Sequence, residues 1–174
     1  MKRLTLALAA LAFASPLLPL AAPAAAAPPK GCTSPQDRQF DFWAGRWNVT
    51  DNTTGKPAGT NDITREYGGC VLQEHWRGAD GDNGSSFNHY DAARKVWHQT
   101  WVDNNGGILY LDGGLKNGAM VLAGKRRGRA GKWMTDRITF TPRPDGSVRQ
   151  WWQSSRDGGA TWKTVFDGIY RRSS

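Results

Sequence analysis

Tryptophan, amide and carboxyl side chains recur at every second position in the middle and late parts of this chain: Glu74 and Trp76, then Ser86, Asn88 and Tyr90, then Trp97, Gln99 and Trp101, and later Gln150 and Trp152. On an extended strand a spacing of two places residues on one face. A face that mixes large aromatics with uncharged hydrogen-bonding groups has the chemistry of a binding cavity, where apolar walls hold a small, partly apolar ligand and a few polar groups orient it. These residues, Ser86 and Trp97 aside, are the expected ligand-contacting set. The plain alternative is that Asn88, Gln99 and Gln150 satisfy one another in a tight core, since buried amides are hydrogen-bonded whatever their task.

Glu74 is the most informative member. A carboxyl on an inward face must be paired or protonated, and Arg137 on a later strand is one candidate partner, provided that the face it shares with Trp133, Thr135 and Thr139 is the inward one. It also admits a second chemistry, acid–base catalysis by Glu74 with the amides steadying charge in the transition state. Parity alone does not say which face is inside, because the opposite set holds Val71 and His75, Phe87 and His89, and Val96, His98 and Val102. Solubility decides for the tryptophan face: nine tryptophans placed on a surface would leave large apolar patches in water.

Other chemistries find less support. His75, His89 and His98 fall on successive strands, which raises the thought of haem, but their parity is opposite to that of the tryptophans. No close histidine or cysteine spacing suits zinc, so neither metal nor cofactor is expected. A Gly-x-Ser-x-Gly nucleophile motif is missing, and the histidines have no convincing serine or cysteine partner. Ser155-Arg156-Asp157-Gly158-Gly159-Ala160-Thr161-Trp162 fits the Asp-box pattern; a single copy reads as a hairpin tip, with aspartate bonding backbone amides and tryptophan packing beneath.

The elements that must position these residues are nearly all strands. Runs such as Val96–Val102 and Arg137–Thr141 are rich in β-branched and aromatic residues, and turn signals such as Asn104-Asn105-Gly106-Gly107, Lys116-Asn117-Gly118 and Asp145-Gly146 separate them. About ten strands result, near Arg46–Asp51, Thr60–Glu66, Cys70–Arg77, Ser85–Asp91, Lys95–Asp103, Gly107–Leu115, Ala119–Arg126, Trp133–Thr141, Ser147–Ser154 and Thr161–Arg172. Short links imply an antiparallel, up-and-down meander, and closure into a barrel removes the two edges that an open sheet would expose. Ser34 as a cap with Pro35 at the first helical position predicts one short helix leading to Phe42, closing an end of the barrel.

Asp41-Phe42-Trp43-Ala44-Gly45-Arg46-Trp47-Asn48-Val49, Phe87–Asp91, Trp97–Asp103, Val148–Trp151 and Asp157–Trp162 together resemble an exported bacterial family of unknown function, over almost the whole mature chain. A short aromatic turn feeding Gly-x-Trp into an alternating strand is also how lipocalin-like barrels begin. The resemblance implies a calycin-like fold, related in architecture to lipocalins, fatty-acid-binding proteins and nitrobindins, and implies no established activity.

Residues 1–26 read as a cleaved secretory signal: basic Lys2 and Arg3, an apolar Leu4–Leu20 broken by Pro16 and Pro19, then a small-residue run with cleavage near Ala26. Residues 27–174 form a single domain, periplasmic or secreted, with no later stretch apolar enough to span a bilayer. Pro29-Lys30-Gly31 before Cys32 is unsuited to lipidation. In an oxidising compartment the two cysteines, Cys32 and Cys70, are expected to pair and to tie the N-terminal arm to the barrel wall. The net charge is +8, of which the signal removes Lys2 and Arg3 to leave +6. Part of that excess sits in a basic tip, Lys125 to Lys132, which reads as a solvated hairpin loop; it allows contact with an anionic surface, while the sequence argues against nucleic acid as a partner.

Overall fold

The alternating runs after Trp47 form ten antiparallel strands: β1 (Gly45–Asp51), β2 (Pro57–Glu66), β3 (Val71–Gly78), β4 (Asn83–Asp91), β5 (Val96–Asp103), β6 (Ile108–Lys116), β7 (Ala119–Arg127), β8 (Trp133–Pro142), β9 (Val148–Ser155) and β10 (Lys163–Arg172). This is a computed structural model that describes residues 31–128 and 131–173; the predicted signal segment and Arg129 and Ala130 of the basic tip lie outside the described residues. Each strand pairs with the next, and β10 returns to β1 to close the barrel, with Trp47 opposite Arg172. The strands fall where alternation places them. The largest difference is β2, which starts at Pro57 rather than Thr60: a bulge at Val49/Thr50 lets Pro57 pair at the strand's first residue, where proline is tolerated.

The expected N-terminal helix is instead two 3-10 turns, Gln36–Arg38 and Asp41–Trp43. Ser34 does fix the start, its backbone N–H and hydroxyl donating to Asp37 Oδ2 at 2.9 and 2.7 Å. Phe40 then leaves helical geometry (φ −104°, ψ 7°), which interrupts any longer helix. Its ring and that of Trp43 are completely buried and stack at 5.0 Å. Phe140 packs against both, at 4.9 and 4.6 Å, and Trp97 meets Phe40 edge-on at 5.6 Å. One end of the barrel is therefore plugged by aromatic rings.

The Gly-x-Trp pair marks where the barrel closes. Arg172 of β10 lies over the Trp47 ring at 4.1 Å and donates to the Ala44 carbonyl at 2.7 Å. Gly45 makes room for it: at φ +133° a Cβ would stand 1.8 Å from the guanidinium. No L side chain fits there without displacing Arg172.

Cys32 and Cys70 form a disulfide that joins the N-terminal arm to the start of β3. Arg38 reinforces the same junction by donating to the carbonyls of Cys32 and Gly69. Among the described residues no helix is long and apolar enough to cross a membrane. Reducing the disulfide should lower the unfolding free energy by about 3–4 kcal/mol, on the loop-entropy estimate for a crosslink of this span. Urea unfolding with and without reductant measures it; free thiols in the denatured, unreduced protein would contradict the pairing.

Candidate functional site

Strand parity sorts the side chains as the tryptophan pattern implies. Glu74 and Leu72 on β3, Ser86 and Asn88 on β4, and Trp97 and Gln99 on β5 are all buried inside the barrel. Toward the end opposite the aromatic plug the interior opens into a cavity of about 410 Å³, within the range usual for small-molecule sites. Trp76, Trp101, Trp152 and Phe166 form its walls, and Glu74, Gln99, Gln150 and Tyr170 line it toward the plug. Its mouth is ringed by the β1–β2, β3–β4 and β5–β6 turns, which contribute Asp51, Asp80, Asp82 and Asp103.

Six of the eight expected contact residues line this cavity: Glu74, Trp76, Gln99, Trp101, Gln150 and Trp152. Asn88 and Tyr90 do not. Asn88 is wholly buried between layers, donating to the Leu72 carbonyl at 3.0 Å and the Ser86 hydroxyl at 2.8 Å while accepting from Gln99 at 2.7 Å. Tyr90 lies toward the plug, its ring 6.3 Å from Trp97. Parity fixes the face a residue takes but not whether it reaches the open space, and Asn88, the cross-strand partner of cavity-lining Gln99, is covered by its own hydrogen bonds.

Glu74 sits at the centre of a hydrogen-bonded chain. Asn61 Nδ2 donates to Oε1 at 2.7 Å and the Ser86 hydroxyl donates to Oε2 at 2.6 Å. Because Ser86 accepts from Asn88, its single proton is directed at Glu74. On the other side Asn61 also donates to the Tyr170 hydroxyl at 3.3 Å, and Tyr170 donates to Gln150. Burial pushes the Glu74 carboxyl up to about 7, against the opposing pull of the Ser86 and Asn61 hydrogen bonds. Burial, and then the nearby Glu74, hold the Tyr170 hydroxyl well above its ordinary range.

Arg137 is not the partner of Glu74. It lies on the outward face of β8, donating to Gln153 Oε1 at 2.8 Å and stacking over Trp162 at 4.0 Å. The inward residues of β8 are Asp136, Ile138 and Phe140, one position out of phase with Arg137. Asn61 and Ser86 take the role expected of it, solvating the carboxyl without a countercharge.

The walls are held as firmly. Trp101 donates from its indole to Asp103 at 3.0 Å and lies across Gly84, where a Cβ would stand 2.3 Å from the ring. Trp152 donates to Asp136 at 2.8 Å, and Asp136, completely buried, is neutralised by Arg126 at 2.7 Å. Trp76 meets Phe166 edge-on at 5.7 Å. Asn61, Tyr170 and Asp136 escaped the sequence reading; Tyr170 alternates with Gly168 and Phe166, a spacing that could have flagged it.

All three histidines take the outward face. His98 Nδ1 lies 2.7 Å from Asp112, His75 Nδ1 lies 3.4 Å from Ser85, and burial followed by the neighbouring His98 lowers His89. The described residues contain no group of three or more histidine, cysteine, aspartate or glutamate side chains able to hold a metal. Residues Ser155–Trp162 form the β9–β10 tip, where Asp157 accepts from Thr161 N–H at 2.9 Å and Trp162 donates to the Gly159 carbonyl at 2.9 Å.

The raised Glu74 carboxyl has a signed consequence for stability. Between the ordinary glutamate range and about 7 the unfolded chain has released this proton while the fold retains it, so unfolding free energy falls as pH rises through that window, by roughly 3 kcal/mol. Asp91 and Asp112, lowered by their hydrogen bonds to Arg94, and Asp167, where burial is outweighed by bonds from Arg149 and Asn52, act with the opposite sign and at more acid pH. Denaturant titrations at several pH values should show this fall in the wild type and lose it in Glu74→Gln.

Comparison of the chain with protein-family models and with curated proteins found no match.

Proposed function

We propose that this chain is an exported, calycin-like barrel that binds a small, partly apolar molecule. The observation that carries the reading is the interior cavity of about 410 Å³, walled by Trp76, Trp101, Trp152 and Phe166 and floored by buried polar groups. A barrel that needed only a packed core would continue the aromatic plug to the other end, as Phe40, Trp43 and Phe140 do at the base. Here the tryptophans are pinned by hydrogen bonds to Asp103 and Asp136 and stand apart around open space. Pre-positioned rings lose little freedom when a ligand arrives, which favours affinity.

The Glu74 carboxyl supports a second reading, acid–base catalysis in the same cavity, because a group that titrates at about 7 exchanges its proton near neutral pH. Glu74→Gln keeps the shape of the side chain, so loss of turnover with ligand affinity retained would mark an enzyme.

Binding is testable with the neutral fluorophore N-phenyl-1-naphthylamine, whose emission rises in apolar surroundings. It should bind at one saturable site and quench tryptophan. Trp101→Ala and Trp152→Ala should each weaken it by about tenfold, the loss of roughly one good aromatic contact. Trp151→Ala, on the outer face where the indole meets Thr164 and Arg149, should leave it unchanged. Binding indifferent to both interior substitutions would contradict the reading.

A further inference from the structure

The cavity is acidic in a chain that is basic. Asp51, Glu74, Asp80, Asp82 and Asp103 line it, and among the described residues no lysine, arginine or histidine does, although the chain carries a net charge of +8. None of these five carboxyls takes part in an ion pair among the described residues. Among the described residues the charge of Arg126 on β7 does reach Asp103, one of the five. Arg126 is committed to Asp136 at 2.7 Å, and Arg127 lies over Trp133 at 4.6 Å and donates to the Gly131 carbonyl.

Two further observations point the same way. Gln99, which lines the cavity and is only 2% exposed, has an amide oxygen without a hydrogen-bond partner. An unpartnered buried acceptor costs free energy that a donor on a ligand would recover. The walls are aromatic faces, and a ring's face attracts positive charge, most strongly where water is excluded. Acceptors at the floor, carboxyls at the mouth and π faces between them are complementary to one kind of molecule.

We propose that the cavity takes an organic cation: an ammonium or amidinium group on a partly apolar body, with its N–H donors directed to Glu74 and Gln99 and its charge between Trp76, Trp101 and Trp152. The inference rests on the cavity being a ligand site and adds the ligand's charge. The mouth carboxyls concentrate cations at the opening, and the aromatic walls strip water from the entering charge. Glu74 then pairs with the cation in its ionised form. Around it β2 presents Asn61 and Ile63, β4 presents Ser86 and Asn88, and β10 presents Tyr170, which is neutral through the working range. Two charges on those strands share this parity, Arg65 and Arg172, and both are held at the plug end, Arg65 by Asp41 and Arg172 by the Ala44 carbonyl; among the described residues no charged group contributes to the shift of the carboxyl.

Two matched sets of probes test this at fixed ionic strength: 2-phenylethylammonium, 2-phenylethanol and phenylacetate, and tryptammonium, indole-3-ethanol and indole-3-acetate. In each set the ammonium should bind at least about tenfold tighter than the alcohol, with the carboxylate weakest. Affinity for the ammonium should rise between about pH 6 and pH 8 as Glu74 ionises, and Glu74→Gln should flatten that rise. Asp80→Asn with Asp82→Asn, at exposed turn positions where asparagine can accept the same backbone bond, should weaken the ammonium and reduce its salt dependence. Alcohol or carboxylate binding as tight as ammonium overturns the cation assignment and leaves the ligand site standing. Silence from all six probes overturns both. Ammonium preference unaltered by all three substitutions overturns the role given to these carboxyls.

Discussion

Closure of the sheet forces every inward side chain into one shared interior, and in this barrel that interior contains the Glu74 carboxyl. Water is largely excluded there, so the protein must supply the solvation that Glu74 loses. Asn61 and Ser86 do so, and each is itself held: Asn61 beside Tyr170 and Gln150, Ser86 by Asn88 and, through it, Gln99. The chain of bonds crosses β2, β3, β4, β5, β9 and β10 and so ties the two ends of the meander together from within. Removing any one link leaves a buried polar group unpaired, which is why the network acts as a unit.

That layer divides the barrel. Below it Phe40, Trp43, Trp97 and Phe140 fill the space with rings; above it the tryptophans line a cavity without filling it. The difference lies in what each ring does with its N–H and its face. Trp101 and Trp152 are clipped to Asp103 and Asp136 at the open end, and Gly84 lets the Trp101 ring lie flat on the wall. The polar layer thus serves as floor to one compartment and ceiling to the other, and the open space lies in the upper one.

Much of the fold was legible because alternation and turn chemistry agree along the chain. Lys116-Asn117-Gly118, for example, turns β6 into β7 with Asn117 and Gly118 both at positive φ. The inward face was legible too, from Trp76, Trp97, Trp101 and Trp152, although solubility did not send every tryptophan inside: Trp133 is exposed and Trp151 and Trp162 pack against arginines on the outer side. Access to the open space was not: Asn88 sits opposite Gln99 yet is covered, and Tyr90 sits opposite Trp97 at the plug, a consequence of strand register that a single strand's pattern does not carry. The phase of β8 was ambiguous because Thr135, Asp136 and Arg137 are all polar, which left Arg137 open as a partner for Glu74 although it faces outward. Asn61 was hidden in the same way between Thr60 and Asp62. The mouth aspartates also shape their turns: Asp103 accepts from the N–H groups of Asn105 and Gly107. Only the assembled rim shows that their charges gather around one opening.

Native mass spectrometry of the protein recovered from its own host reads directly whether the upper compartment is occupied. A binding barrel should carry a discrete added mass that is lost on unfolding and absent from Trp101→Ala. The bare chain mass in both proteins would contradict binding.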